Sequence, residues 1–163
     1  MTILIDATAR VSALADIEDS SRGTIITIGG HSVIDSFVKI KPAGGRGDVT
    51  IGMHSIINSG CVIYTGNGVI IGDSVAVAAN CVFAPVNHEF RSAQLPIRAQ
   101  GFMREKGGII IEDDVWIGAG CTLLDGAILR RGCVIGAMSL VRGEIPAYSI
   151  QAGNPMKLLG WRR

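Results

Sequence analysis

Three side chains in this chain are suited to moving a proton near neutral pH: His31, His54 and His88. His88 stands immediately before the longest interruption of an otherwise regular sequence, residues 89–110. A compact domain seldom keeps a 22-residue excursion without a use, so His88 at its mouth is the candidate general base. His31 and His54 fall at the same place in two neighbouring repeat units and should stack about one strand spacing apart. A stacked imidazole pair suggests zinc. The separations of 23 and 34 residues, and the different place of His88 in its unit, favour ordinary surface histidines, and no metal is expected. Cys61, Cys81, Cys121 and Cys133 form no CxxC pair and read as small buried packing residues.

These candidates must be held by whatever repeats around them. Six-residue units, each beginning with an apolar residue, fall in groups of three that start at Ile5, Ile28, Ile51, Ile71, Ile111 and Leu129. A period of six would turn an α-helix by 240° and scatter these residues around it, whereas an even period keeps them on one side of an extended chain. The units are therefore short strands. The fifth position is nearly always small and includes all four cysteines, as crowding near a corner requires. Three strands per turn make a triangular coil of 18 residues, and six coils at about 4.8 Å each stack to roughly 29 Å. The interruptions, at 23–27, 46–50, 69–70 and 89–110, all follow a third unit and so leave from one corner.

The units IGGHSV, IGDSVA, IGAGCT and IGAMSL resemble the hexapeptide repeats of the left-handed β-helix acyltransferases. The resemblance covers residues 5–146 and the tail. It implies an all-β chain folded as a single-stranded left-handed parallel β-helix, a triangular prism of about six coils, with one long excursion loop and a short C-terminal tail. One domain, 1–163, would hold coils at 5–88 and 111–146, an active-site loop at 89–110 and the tail at 147–163. The hand comes from the resemblance alone, because it runs against the usual crossover preference.

Residues 86–120, VNHEFRSAQLPIRAQGFMREKGGIIIEDDVWIGAG, resemble the active-site region of the sugar O-acetyltransferase branch, the maltose, galactoside and xenobiotic acetyltransferases. The resemblance makes His88 the catalytic base and the backbone N–H of Ala119 the donor to the oxyanion. The segment IPAYSIQAGNPMKLLGWRR, 145–163, resembles the family's cofactor-binding end. Carried across, Ala119 and Ala137 meet the pantetheine arm of acetyl-CoA through backbone groups, and Arg142, Pro155 and Lys157 meet its nucleotide end. Arg142, Lys157, Arg162 and Arg163 against Glu144 leave a local charge of +3, suited to phosphates. Gly143 and Gly160 replace positions often basic in relatives, so Arg162 or Arg163 would substitute. Asn58, Glu89 and Trp116 are the candidate acceptor contacts, Trp116 as an outward pocket wall. The resemblance also implies a homotrimer with active sites at subunit interfaces.

Composition bounds the rest. With 163 residues, 48% hydrophobic and 18% charged, the chain reads as one ordered domain, and a net charge of +1 gives no electrostatic case for nucleic acid. No apolar run reaches the ~18 residues that span a bilayer, and MTILIDATAR lacks the pattern of a signal peptide, so a soluble cytoplasmic protein is expected. The expected activity is acetyl transfer from acetyl-CoA to a hydroxyl of a bacterial polysaccharide or its precursor, by direct attack. The alternatives are N-acetylation of an amino-sugar nucleotide, a zinc hydratase of the γ-carbonic-anhydrase type, and a non-catalytic solenoid.

Overall fold

The computed structural model describes residues 2–103 and 106–163; Arg104 and Glu105 of the excursion lie outside the described residues. The chain winds around three flat faces. The first is built from the parallel strands Ile3–Ile5, Ile26–Ile28, Val49–Ile51, Val69–Ile71, Ile109–Ile111, Ile128–Leu129 and Glu144–Ile145. The second stacks Arg10–Val11, Val33–Ile34, Ile56–Ile57, Ala76–Val77, Trp116–Ile117, Val134–Ile135 and Ser149–Gly153. The third stacks Asp16–Ile17, Lys39–Lys41, Val62–Tyr64, Val82–Ala84, Thr122–Leu124 and Leu140–Val141. This is a left-handed parallel β-helix of six full coils with the start of a seventh.

The unit-starting residues point inward as their spacing requires. Ile34, Ile57, Ile117 and Ile135 are at most 1% exposed on the second face, and Ile40, Ile63, Phe83 and Leu123 are fully covered on the third. The fifth positions Val38, Cys61, Val75, Cys81, Val115 and Cys121 join the same core. Phe83, the largest fully buried side chain, stacks in register between Ile63 and Leu123. Phe83→Ala should cost about 3–5 kcal/mol, because the rigid rungs above and below cannot collapse into the gap. Chemical denaturation should show this as a lower midpoint at unchanged slope.

Corners form where the backbone turns through a left-handed residue. His31, His54, Ser74 and Asp114, with φ between 56° and 60°, hold that place at the first corner, between faces one and two. Phe37, Asn80 and Met138 hold it at the second, between faces two and three.

Two features escape the hexapeptide rule. The tail is not an appendage beginning at 147: Ser149–Gly153 continues the second face by pairing with Val134–Ile135, and Met156–Trp161 then returns antiparallel after the cis Asn154–Pro155 bond. Within the excursion a single helical turn, Ile97–Gln100, follows Pro96, whose fixed φ suits a helix start. No helix among the described residues is long and apolar enough to cross a membrane.

Candidate active site

His88 lies at the third corner, between faces three and one, just after the strand Val82–Ala84. The backbone pins it. His88 and Phe102 form an isolated antiparallel bridge, Glu89 N–H donates to Gly101 O (3.0 Å) and Met103 N–H donates to Asn87 O (2.8 Å). The two ends of the excursion are thus clasped, and His88 sits in the clasp with its exposed ring 4.5 Å from that of Phe102. Asn87 Nδ2 donates to Asp125 Oδ1 at 2.6 Å, and Asp125 is only 6% exposed, which ties the residue before His88 to the next coil.

Glu89 is turned onto Arg91. Hydrogen bonds from the Arg91 side chain and backbone hold its carboxyl well below the usual range, at about 2, so it stays ionised throughout the physiological range. An acceptor hydroxyl would have to compete with that ion pair.

The second corner carries a column of small residues. Gly120 N–H donates to Ala79 O (3.0 Å) and Met138 N–H donates to Ala119 O (2.8 Å), so successive coils are locked together there. The N–H groups of Ala119 and Ala137 donate to no acceptor among the described residues, and both alanines are exposed. Unpaired N–H groups beside an open column of alanines can receive the carbonyl and amide oxygens of an extended ligand arm. Pro155 and Lys157 stand exposed above this column, where Lys157 pairs with Ala152. Trp116 faces outward on the second face, 53% exposed, between Ala76 and Val134. Asn58 is at the second corner two coils below Ala119, and its Nδ2 donates to Val77 O at 2.8 Å.

The residues expected to work together therefore lie on two edges of the prism. His88, Glu89 and Arg142 belong to the third corner; Asn58, Ala119 and Ala137 belong to the second, with Trp116 beside it and Pro155 and Lys157 above it. One whole face, roughly 15 Å wide for about five residues of strand, separates the two sets. His31 and His54 occupy yet another edge, the first corner, their rings stacked with centroids 5.0 Å apart. The Arg162 guanidinium donates to Asp114 Oδ2 (2.9 Å) and Gly132 O (3.0 Å), bonds with which a phosphate would compete. The cysteines are buried thiols, and burial pushes that of Cys133 up to about 12.

One feature of the third corner went unread in the sequence. A cavity of about 930 Å³ opens beside Phe102, with Arg22, Arg46 and Asn67 in its wall. The run GGRG at 44–47 was the available signal, since it is a basic residue among glycines inside an interruption of the repeat.

Comparison with known proteins agrees with this architecture. The family model described as bacterial transferase hexapeptide (six repeats) matches residues 108–143, so that stretch carries the repeats of the hexapeptide transferases. It is 41% identical over 98 residues to a Mycobacterium tuberculosis protein named "Probable acetyltransferase Rv3034c", across 60% of this chain and 32% of that one. Over 122 residues it is 31% identical to an Escherichia coli protein named "Putative lipopolysaccharide biosynthesis O-acetyl transferase WbbJ", across 72% of this chain and 62% of that one. The chain thus spans between about a third and three fifths of these relatives' lengths. Its fold matches that of AntD, an N-acyltransferase from Bacillus cereus crystallised with dTDP and 3-hydroxybutyryl-CoA, with a TM-score of 0.80 at 23% identity over 99% of this chain and 83% of that one.

Proposed function

We propose that the protein is an acetyl-CoA-dependent O-acetyltransferase acting on a sugar hydroxyl, with His88 as general base and with each active site shared between two subunits of a homotrimer. The observation that carries this reading is the partition of the site. One edge offers an exposed imidazole on a clasped backbone, and the other offers a column of alanines with unpaired N–H groups. Neither edge suffices alone. Three copies set around an axis that faces the third side of the prism bring the His88 edge of one subunit against the Ala119 edge of the next. The upper rungs of that side suit such a core, since Val62, Val82, Thr122 and Leu140 face outward without charge. Phe90, Leu95 and Ile97 on the excursion are all more than half exposed and would be covered by a neighbour.

In this arrangement the acceptor oxygen attacks the thioester carbonyl while His88 takes its proton. The oxyanion is met by the N–H of Ala119. Collapse breaks the C–S bond, forms the ester and returns the proton from the imidazolium to the departing thiol. The names carried by the relatives, an acetyltransferase and an O-acetyl transferase of lipopolysaccharide biosynthesis, support acetyl as the group and a bacterial surface saccharide or its precursor as the acceptor. Thiol release from acetyl-CoA, followed across neutral sugars, oligosaccharides, sugar phosphates and an amino-sugar nucleotide, tests the activity. Release with the hydroxyl acceptors is expected; release with the amino-sugar nucleotide alone would establish N-acetylation instead, and release with none would defeat both.

Arg142 and Lys157 sit on opposite edges and would reach the nucleotide end of one coenzyme A from two subunits. Both are exposed, so binding should weaken only several-fold in Arg142→Ala/Lys157→Ala, and should weaken for the parent as salt rises. Calorimetry showing equal affinity for parent and double variant at low salt would remove them from the cofactor site.

A further inference from the structure

The cavity beside Phe102 lies in the lower coils, apart from the column of Ala119 and Ala137. It is formed where the interruptions of the lower coils meet the excursion: Arg22 just before the first, Arg46 in the second, Asn67 just before the third, and Phe102 in the excursion. Phe102 is also the residue that clasps His88 and lies against its ring, so the cavity opens next to the base. Among the described residues no acidic side chain lines it. Neither the Arg22 nor the Arg46 guanidinium has a hydrogen-bond or ion-pair partner among the described residues, in contrast to Arg130, Arg131 and Arg162, each held by carboxylates. Both arginines are exposed, and two guanidiniums without partners on one cavity wall can receive an anion between them.

The cavity floor is made of backbone. A Cβ on Gly45 would run into Gly66 O and one on Gly47 into Gly68 N, so these loops stack too closely for any side chain there, and the space between the arginines stays open. Its volume, about 930 Å³, lies within the usual range of small-molecule pockets. The cofactor groove climbs from Ala119 to Ala137 and Lys157 in the upper coils, whereas the arginines lie in the lower ones. The anion they meet is therefore not that of coenzyme A.

We propose that this cavity binds the acceptor through a phosphate: the acceptor is a phosphorylated sugar, its phosphate or diphosphate held between Arg22 and Arg46 and its sugar ring lying toward Phe102 and His88. The assignment rests on the acetyl-transfer reading for the role of the sugar, but the anion site can be tested without catalysis. Calorimetric titration of the free protein would use glucose, glucose 1-phosphate, glucuronic acid and inorganic pyrophosphate, with coenzyme A in parallel. Glucose 1-phosphate should bind at least ~10-fold more tightly than glucose, and pyrophosphate should bind as well, both weakening with salt. Arg22→Gln/Arg46→Gln should lose roughly 10- to 100-fold toward both phosphates while keeping its affinity for coenzyme A, and Arg22→Lys/Arg46→Lys should recover part of the loss. Equal binding of glucose and glucose 1-phosphate would overturn the proposal, as would a glutamine variant that is folded and binds phosphates like the parent. Glucuronic acid binding as tightly as glucose 1-phosphate would overturn the phosphate assignment. Arginine-dependent phosphate binding in a protein that acetylates nothing would defeat the acetyl-transfer reading and leave the anion site standing.

Discussion

His88→Ala should lower turnover by about 10² to 10⁴ while leaving the affinity for acetyl-CoA nearly unchanged. The loss should fall on the chemical step because only the proposed base is removed. The alanine column and the basic residues above it lie on another edge of the prism and keep their geometry. The clasp should survive too, since it is made by backbone bonds of Asn87, Glu89, Gly101 and Met103 rather than by the imidazole. A second signature is available in the pH profile. The parent's rate should fall toward acid, because an imidazolium accepts no proton, and the residual rate of the variant should lack that limb. Turnover near the parental value in a folded His88→Ala protein would eliminate the histidine as base.

Co-expression of two dead variants should restore activity. His88→Ala removes the base, and Ala119→Trp fills the groove at the second corner; each homotrimer should be inactive to within a percent or so of the parent. In trimers assembled at random from equal amounts, a site pairs an intact His88 with an intact Ala119 edge in about one case in four, so about a quarter of parental activity should return. If both edges of a site came from one chain, every chain would carry a lesion and nothing would return. Purification through two different tags removes the two homotrimers, and because every mixed trimer holds one such site in three, about a third of parental activity should return in that fraction.

The prism itself was legible because an even period imposes one geometry on every unit. Ile34, Ile57 and Ile117 can be placed inward by counting alone, and the cysteines at fifth positions follow from the same count. The placing of His88 and the two alanines on different edges was also written there, since unit order assigns the corner. His88 closes a third unit, whereas Ala119 and Ala137 lie in second units, so a single coil cannot bring them together. Where the count stops, legibility stops. Arg22 and Arg46 flank or occupy interruptions of unequal length, and no spacing rule relates them before the loops are folded against one another. The return strand Met156–Trp161 was hidden for a related reason: it is antiparallel and lies outside the coil, so its apolar residues follow no six-residue rhythm.

That return strand also governs how far the molecule can grow. A parallel β-helix ends in a rung whose backbone groups are an open template, and a second molecule added there would lengthen the solenoid into a fibre. Here Ser149–Gly153 already has Val134–Ile135 below it and Met156–Trp161 above it, and the last strand runs in the opposite direction. A newcomer's first rung would have to match an antiparallel neighbour on one side of the triangle and parallel ones on the others. End-to-end addition is thereby frustrated at the upper end, and because head-to-tail polymerisation consumes both ends at every junction, blocking one is enough to keep the particle finite.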